Sequence, residues 1–118
     1  MCSFDEKKML VQIYDMLYRL GVTANYIGFF HTTRAVFLCV QEPERLQLVT
    51  KWLYPDVAEY YKTNWKAVEH NIRGIIAMVW DSNQELLKKY AGHKLTRRPY
   101  PAQFLSILTK EVIYDYII

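Results

Sequence analysis

The chain has 118 residues, of which 52% are hydrophobic and 15% aromatic. That is one domain's length with enough apolar material for a single core, and it excludes global disorder. A net charge of +3 and a pI near 8.8 permit a nucleic-acid partner without demanding one, because strongly electrostatic binders usually exceed a pI of about 9.

The only glycines are Gly21, Gly28, Gly74 and Gly92, and the prolines are Pro43, Pro55, Pro99 and Pro101. Such sparse punctuation, without Asn-Gly or Asp-Gly turns, predicts an all-α fold. A first helix opens with a capping box, Ser3 with Glu6, and carries Leu10, Ile13, Tyr14, Leu17 and Leu20 at helical spacing up to Gly21. A second helical region covers about Ala24–Val40, with Gly28 or Thr32 as candidate breaks. Pro43 suits the first turn of a third helix in which Leu46, Val49 and Leu53 share a face. That helix should stop near Tyr54, because the residue before Pro55 is pushed out of the α region.

A short helix then starts at Pro55, with Asp56 in its first turn and Val57, Ala58 and Tyr61 facing inward. Lys62-Thr63-Asn64 is a turn, and Thr63 or Asn64 can cap the next helix. From Trp65 to Trp80 the chain shows its longest clean stripe: Val68, Ile72, Ile75 and Val79. Ser82 and Glu85 form a second capping box for a helix that carries Leu86, Leu87 and Tyr90 and closes at Gly92. His93–Pro101 is a basic loop. Phe104, Leu105, Leu108 and Val112 mark a last helix, and the end, Tyr114–Ile118, reads as its continuation or as a strand.

Residues 55–82 therefore have the parts of a DNA-binding helix-turn-helix: a short first helix with the small Ala58 at the crossing, a turn, and a second helix of two faces. The turn lacks the glycine common in this motif. Opposite the apolar stripe, Lys66, Glu69, His70 and Arg73 recur at offsets of three or four. Arg73 could contact guanine O6 and N7 through two parallel hydrogen bonds, Glu69 could accept from cytosine, and His70 could bond a base edge or a phosphate. Lys62, Thr63, Asn64 and Lys66 are candidates for the DNA backbone, aided by backbone donors at the helix start. The run His93-Lys94-Leu95-Thr96-Arg97-Arg98 adds Arg97 and Arg98 as further phosphate contacts. The plain alternative is that this face and this loop are solvated surface.

The segment Thr50-Lys51-Trp52-Leu53-Tyr54-Pro55-Asp56-Val57-Ala58, followed by Tyr61, Thr63, Val68-Glu69, Ile72-Arg73 and Trp80, resembles the C-terminal effector domain of the master sporulation response regulator of endospore-forming bacteria. The likeness runs from about Leu10 to Val112. It implies a compact domain of about six helices that binds short promoter boxes in double-stranded DNA, often as two domains in tandem. It also implies a recognition helix that reads bases through a Glu-Arg pair and an Arg-His pair one turn later. Glu69 and Arg73 match the Glu and the second Arg, His70 replaces the first Arg, and Gly74 replaces the His. An Arg-to-His change loses a permanent charge and the guanidinium fork, and Gly74 costs ~1 kcal/mol of helix propensity relative to alanine. The departures imply an altered target, weaker binding, or loss of DNA binding with the fold retained. The last case describes an interaction module of the same fold that modulates a full-length regulator. The family's regulator carries a receiver domain before the effector. With the chain starting only a few residues before the first effector helix, the expectation is control by abundance, self-association or another protein.

Other constellations carry less. His31, His70 and His93 have no partners at metal-ligand spacing, and surface or capping roles are expected for them. No catalytic triad or glycine-rich phosphate loop appears, so neither an enzyme nor a cofactor is expected. Cys2 and Cys39 form no disulfide framework, and Cys39, within Ala35–Val40, reads as a small buried hydrophobe. Ser3–Lys8 is charged where a secretory leader turns apolar, and no uncharged apolar run nears the ~20 residues of a membrane span. A cytoplasmic protein is expected. The ten tyrosines read as packing residues, and Phe29, Phe30 and Tyr114–Ile118 as core rather than partner surface.

Overall fold

The computed structural model describes residues 4–117, all of whose regular elements are helical. Five α-helices run in the order α1 (Phe4–Arg19), α2 (Ile27–Gln41), α3 (Tyr54–Tyr60), α4 (Trp65–Ala91) and α5 (Pro101–Ile117). A 3₁₀ helix (Pro43–Gln47) and a π turn (Val49–Leu53) join α2 to α3. Because α4 bends at Asn83, where φ is −152° and ψ 61°, the described residues form six α-helical segments. The Ser3 cap and Cys2 lie outside the described residues.

α2 is the centre of the fold and packs on α1, α4 and α5. Its sequence is apolar nearly all round, as a central helix requires, and nine of its fifteen residues are buried. It is unbroken at both Gly28 and Thr32. Gly28 serves close approach instead: a Cβ there would lie 2.6 Å from the Asn71 carbonyl oxygen on α4. The buried Thr33 hydroxyl is satisfied within the helix, donating to the Phe29 carbonyl (2.8 Å).

α1 ends at Gly21 in the left-handed region (φ +95°), with Val22 N–H donating to the Leu17 carbonyl and Gly21 N–H to that of Tyr18. This is the Schellman arrangement. Phe29 is buried and Phe30 half-buried in an aromatic cluster with Tyr14 and Tyr18. Phe104, Leu105, Leu108 and Val112 are buried in α5. That helix continues through Ile117, so the strand alternative is overturned for the described residues: each added helical residue gains a backbone bond within the helix, whereas a lone strand has nothing to pair with.

The connection to α3 departs from expectation. Instead of one α-helix after Pro43, the chain makes the 3₁₀ helix and the π turn. Tyr54 precedes Pro55 yet is α-helical (φ −62°, ψ −40°). Leu53 and Tyr54 are fully buried, and that burial outweighs the local preference against helix before proline. The second capping box is also displaced by one residue. Asn83 rather than Ser82 caps the last stretch of α4, its Oδ1 accepting from Leu86 N–H (3.3 Å) while its amide donates to the Arg19 carbonyl (2.9 Å). Glu85 instead faces Lys88 on the surface (3.9 Å).

Candidate nucleic-acid interface

α3 and α4 are joined by a tight turn built from Tyr61, Lys62, Thr63 and Asn64. Thr63 N–H donates to the Ala58 carbonyl (2.9 Å), Lys62 N–H donates to that of Glu59, and Lys62 adopts φ +55°. Lys62 therefore stands where a left-handed glycine would usually end the first helix. Asn64 caps α4, its Oδ1 accepting from Ala67 N–H (2.9 Å). Behind the turn, Val57, Ala58, Val68, Ile72, Ile75, Ile76 and Val79 are buried, so one face of α4 is anchored along the stripe.

The strain at Lys62 has a measurable consequence. A left-handed conformation costs a non-glycine residue ~1–2 kcal/mol, and glycine gives back ~0.5–1 kcal/mol in unfolded-chain entropy. Lys62→Gly should therefore raise stability by about 0.5–1 kcal/mol in urea unfolding. A drop in stability would show that the lysine side chain holds the turn.

The opposite face of α4 is open. Lys66, His70, Arg73 and Gly74 are exposed and Glu69 is half-buried. The Arg73 side chain retains 54% of its accessible surface and Glu69 31%, with Nε 3.7 Å from Oε1. The fully buried Tyr54 lies within the electrostatic reach of this pair. Its buried hydroxyl is pushed up to about 12, mainly by burial and then by the charge of Glu69, with Arg73 pulling the other way. Thr63 is exposed at the turn, and the Lys66 ammonium sits 5.8 Å from the Trp65 ring.

The basic loop comes to the same side. Arg98 and Arg73 line one cleft of about 110 Å³ with Ile76, Pro99 and Pro101. The first turn of α5 begins there, so two arginines and a helix N-terminus border a small concavity. Arg97 is placed differently: its guanidinium lies 4.4 Å from the centre of the Tyr100 ring and donates to the Tyr100 hydroxyl (2.7 Å). Among the described residues, no three His, Cys, Asp or Glu side chains are grouped to hold a metal ion, and no helix is long and apolar enough to cross a membrane.

Three supports of this face escaped sequence reasoning. Arg45 is only 8% exposed, and its guanidinium pairs with Asp56 (2.6 Å) and Glu42 (3.2 Å) and lies 5.0 Å from the Trp52 ring. Burial disfavours its charge, but the two carboxylates outweigh burial and hold the proton more firmly. Arg34 lies 3.8 Å over the Tyr60 ring at the end of α3. His31 is neither a surface residue nor a cap. It is buried on α2, with Nδ1 3.4 Å from the Asn71 amide nitrogen of α4 and its ring 5.2 Å from that of Tyr61.

Burial lowers the His31 pKa from its ordinary 6.5, so the ring is neutral and Nδ1 accepts from Asn71. A lowered folded-state value means the unfolded chain binds the proton more readily. The contribution is thus fully present above about pH 6.5 and is lost as pH falls below it. Stability measured at pH 6.5 and 5.5 should differ in the unmodified chain. His31→Gln should remove that slope, and an unchanged slope in the variant would assign it elsewhere.

A family model described as the sporulation initiation factor Spo0A C terminal matches residues 13–112. The chain belongs to the Spo0A C-terminal family. The match runs from α1 into α5 and spans the whole α3–turn–α4 unit. Membership makes this a domain of a DNA-binding sporulation-regulator class, which is not an enzyme family. The structure also explains the run Thr50–Ala58 through which the likeness to the Spo0A C-terminal family is most visible. Trp52 packs by Arg45, Leu53 and Tyr54 fill the core, Asp56 binds Arg45, and Val57 and Ala58 face α4. That run packs beneath the exposed face of α4 rather than forming part of it.

Proposed function

We propose that this chain is a sequence-specific, double-stranded DNA-binding transcriptional regulator that reads the major groove with the first part of α4, residues 65–82. Glu69, His70 and Arg73 contact base edges. Lys62, Thr63, Lys66 and Arg98 hold phosphates. Asn64 contributes mainly by capping, which aims the N–H groups of the first turn outward. Arg97 reaches the backbone only by leaving Tyr100. The targets are promoter boxes, occupied singly or by two copies in tandem. The observation that carries the reading is the unobstructed face bearing Lys66, His70 and Arg73 directly opposite a buried stripe, on a Spo0A C-terminal family domain.

A second reading is an interaction module that pairs with a full-length regulator or another protein. It is favoured by one specific feature: Gly74 presents no side chain, and a Cβ there would meet nothing within 4 Å. Selection from a random duplex pool, followed by anisotropy titrations at two salt concentrations, separates the readings. DNA reading requires a preferred duplex whose advantage over a scrambled one survives the higher salt, where phosphate contacts weaken. Equal affinity for both duplexes at each salt would overturn sequence-specific reading, and the interaction module would require a protein partner besides.

A further inference from the structure

Gly74 looks like a deleted base reader, yet its surroundings give the deletion a positive use. It lies one turn after His70 on the exposed face of α4. Beside it a groove of about 170 Å³ runs between α4 and the first turn of α2, with His70 at one end and Ile27, Ile75 and Met78 on its walls. Gly28 on α2 lets the two helices close to backbone contact beneath it. Ile27 and Tyr26 at the rim are 61% and 45% exposed.

We propose that this groove seats the 5-methyl group of a thymine, so that the chain reads one T·A pair by apolar contact next to the bases met by His70 and Arg73. The proposal rests on α4 being a major-groove helix. In that groove the thymine methyl is the one apolar feature among the base edges, and the site has the volume and the apolar walls to take it. A side chain longer than alanine at position 74 would stand at the mouth of this space. The groove is also continuous with the candidate base-reading face, because His70 belongs to both.

The test removes only the methyl group. In the duplex preferred by the unmodified chain, each thymine is replaced in turn by deoxyuracil and affinity is measured by anisotropy. One position should weaken binding by about fourfold, the worth of one buried methyl group, and the others should not. In Ile27→Ser the thymine-to-uracil ratio at that position should fall to about one, and Met78→Gln, on the facing wall, should do the same independently. A merely structural effect of either substitution would lower affinity for both duplexes and keep the ratio. A preferred duplex without a uracil-sensitive position, as expected if a protein segment occupies the groove, overturns this proposal alone. So does a ratio that persists in both variants. Failure to prefer any duplex overturns the DNA reading and this proposal together.

Discussion

Asp56→Ala should lower stability by about 2–3 kcal/mol, the scale of a hydrogen bond to a charged group lost from a buried partner. The asymmetry between the partners sets this size. The Asp56 and Glu42 side chains keep 43% and 50% of their surface, whereas that of Arg45 keeps 10%. Removing the aspartate leaves a guanidinium shut away from water with one remaining carboxylate at 3.2 Å. Removing the arginine instead leaves two carboxylates that water can reach, so Arg45→Met, which retains much of the packing against Trp52, should cost less. Urea unfolding of both variants checks the order. An Asp56→Ala cost within the ±0.5 kcal/mol typical of surface substitutions would mean that the bridge contributes little. The bridge bears on α4 only through α3, because Asp56 sits in the first turn of α3 and α3 packs against both the π turn and α4.

This bridge also shows where reading a sequence stops. The α4 stripe of Val68, Ile72, Ile75 and Val79 was legible because periodicity is a local property, and the same holds for α1 and for Phe104–Val112 in α5. It holds too for the placement of Lys66, Glu69, His70 and Arg73 on one exposed face, which is dictated by the stripe behind them. The partnership of Arg45 with Asp56 was not legible. It spans eleven residues through a 3₁₀ helix and a π turn, and neither irregular element has a periodic signature.

The choice of Asn83 over Ser82 as cap was hidden for a related reason. Both residues can cap, and what separates them is a bond from Asn83 to Arg19 across the fold. His31 was misplaced because a single histidine in a helix looks like surface until its neighbours are known. The sequence places Lys62 in the turn but does not show its left-handed conformation, because such a turn is recognised by its glycine. Here the turn's two backbone bonds and the docking of α3 on α4 impose the conformation on a lysine. The convergence of Arg98 with Arg73 needed the whole loop in place, since the two are brought together only by the packing of α5 against α4.

On the proposed reading, Arg73→Ala should reduce binding to the preferred duplex by about 1–3 kcal/mol while barely changing affinity for a scrambled one. The pre-existing contact with Glu69 does not alter that expectation. An exposed i, i+4 pair at 3.7 Å is worth only ~0.3–0.5 kcal/mol, so releasing Arg73 to a guanine costs far less than two parallel hydrogen bonds return. Arg98 shares the cleft with Arg73 but starts from the loop, outside the helix that enters the groove. Arg98→Ala should therefore weaken both duplexes alike and reduce the salt slope by about one. Paired titrations of the two variants against both duplexes make the distinction. If Arg73→Ala instead weakens both duplexes equally, the two guanidiniums clamp a shared phosphate, and sequence discrimination must come from Glu69, His70 and the groove at Gly74.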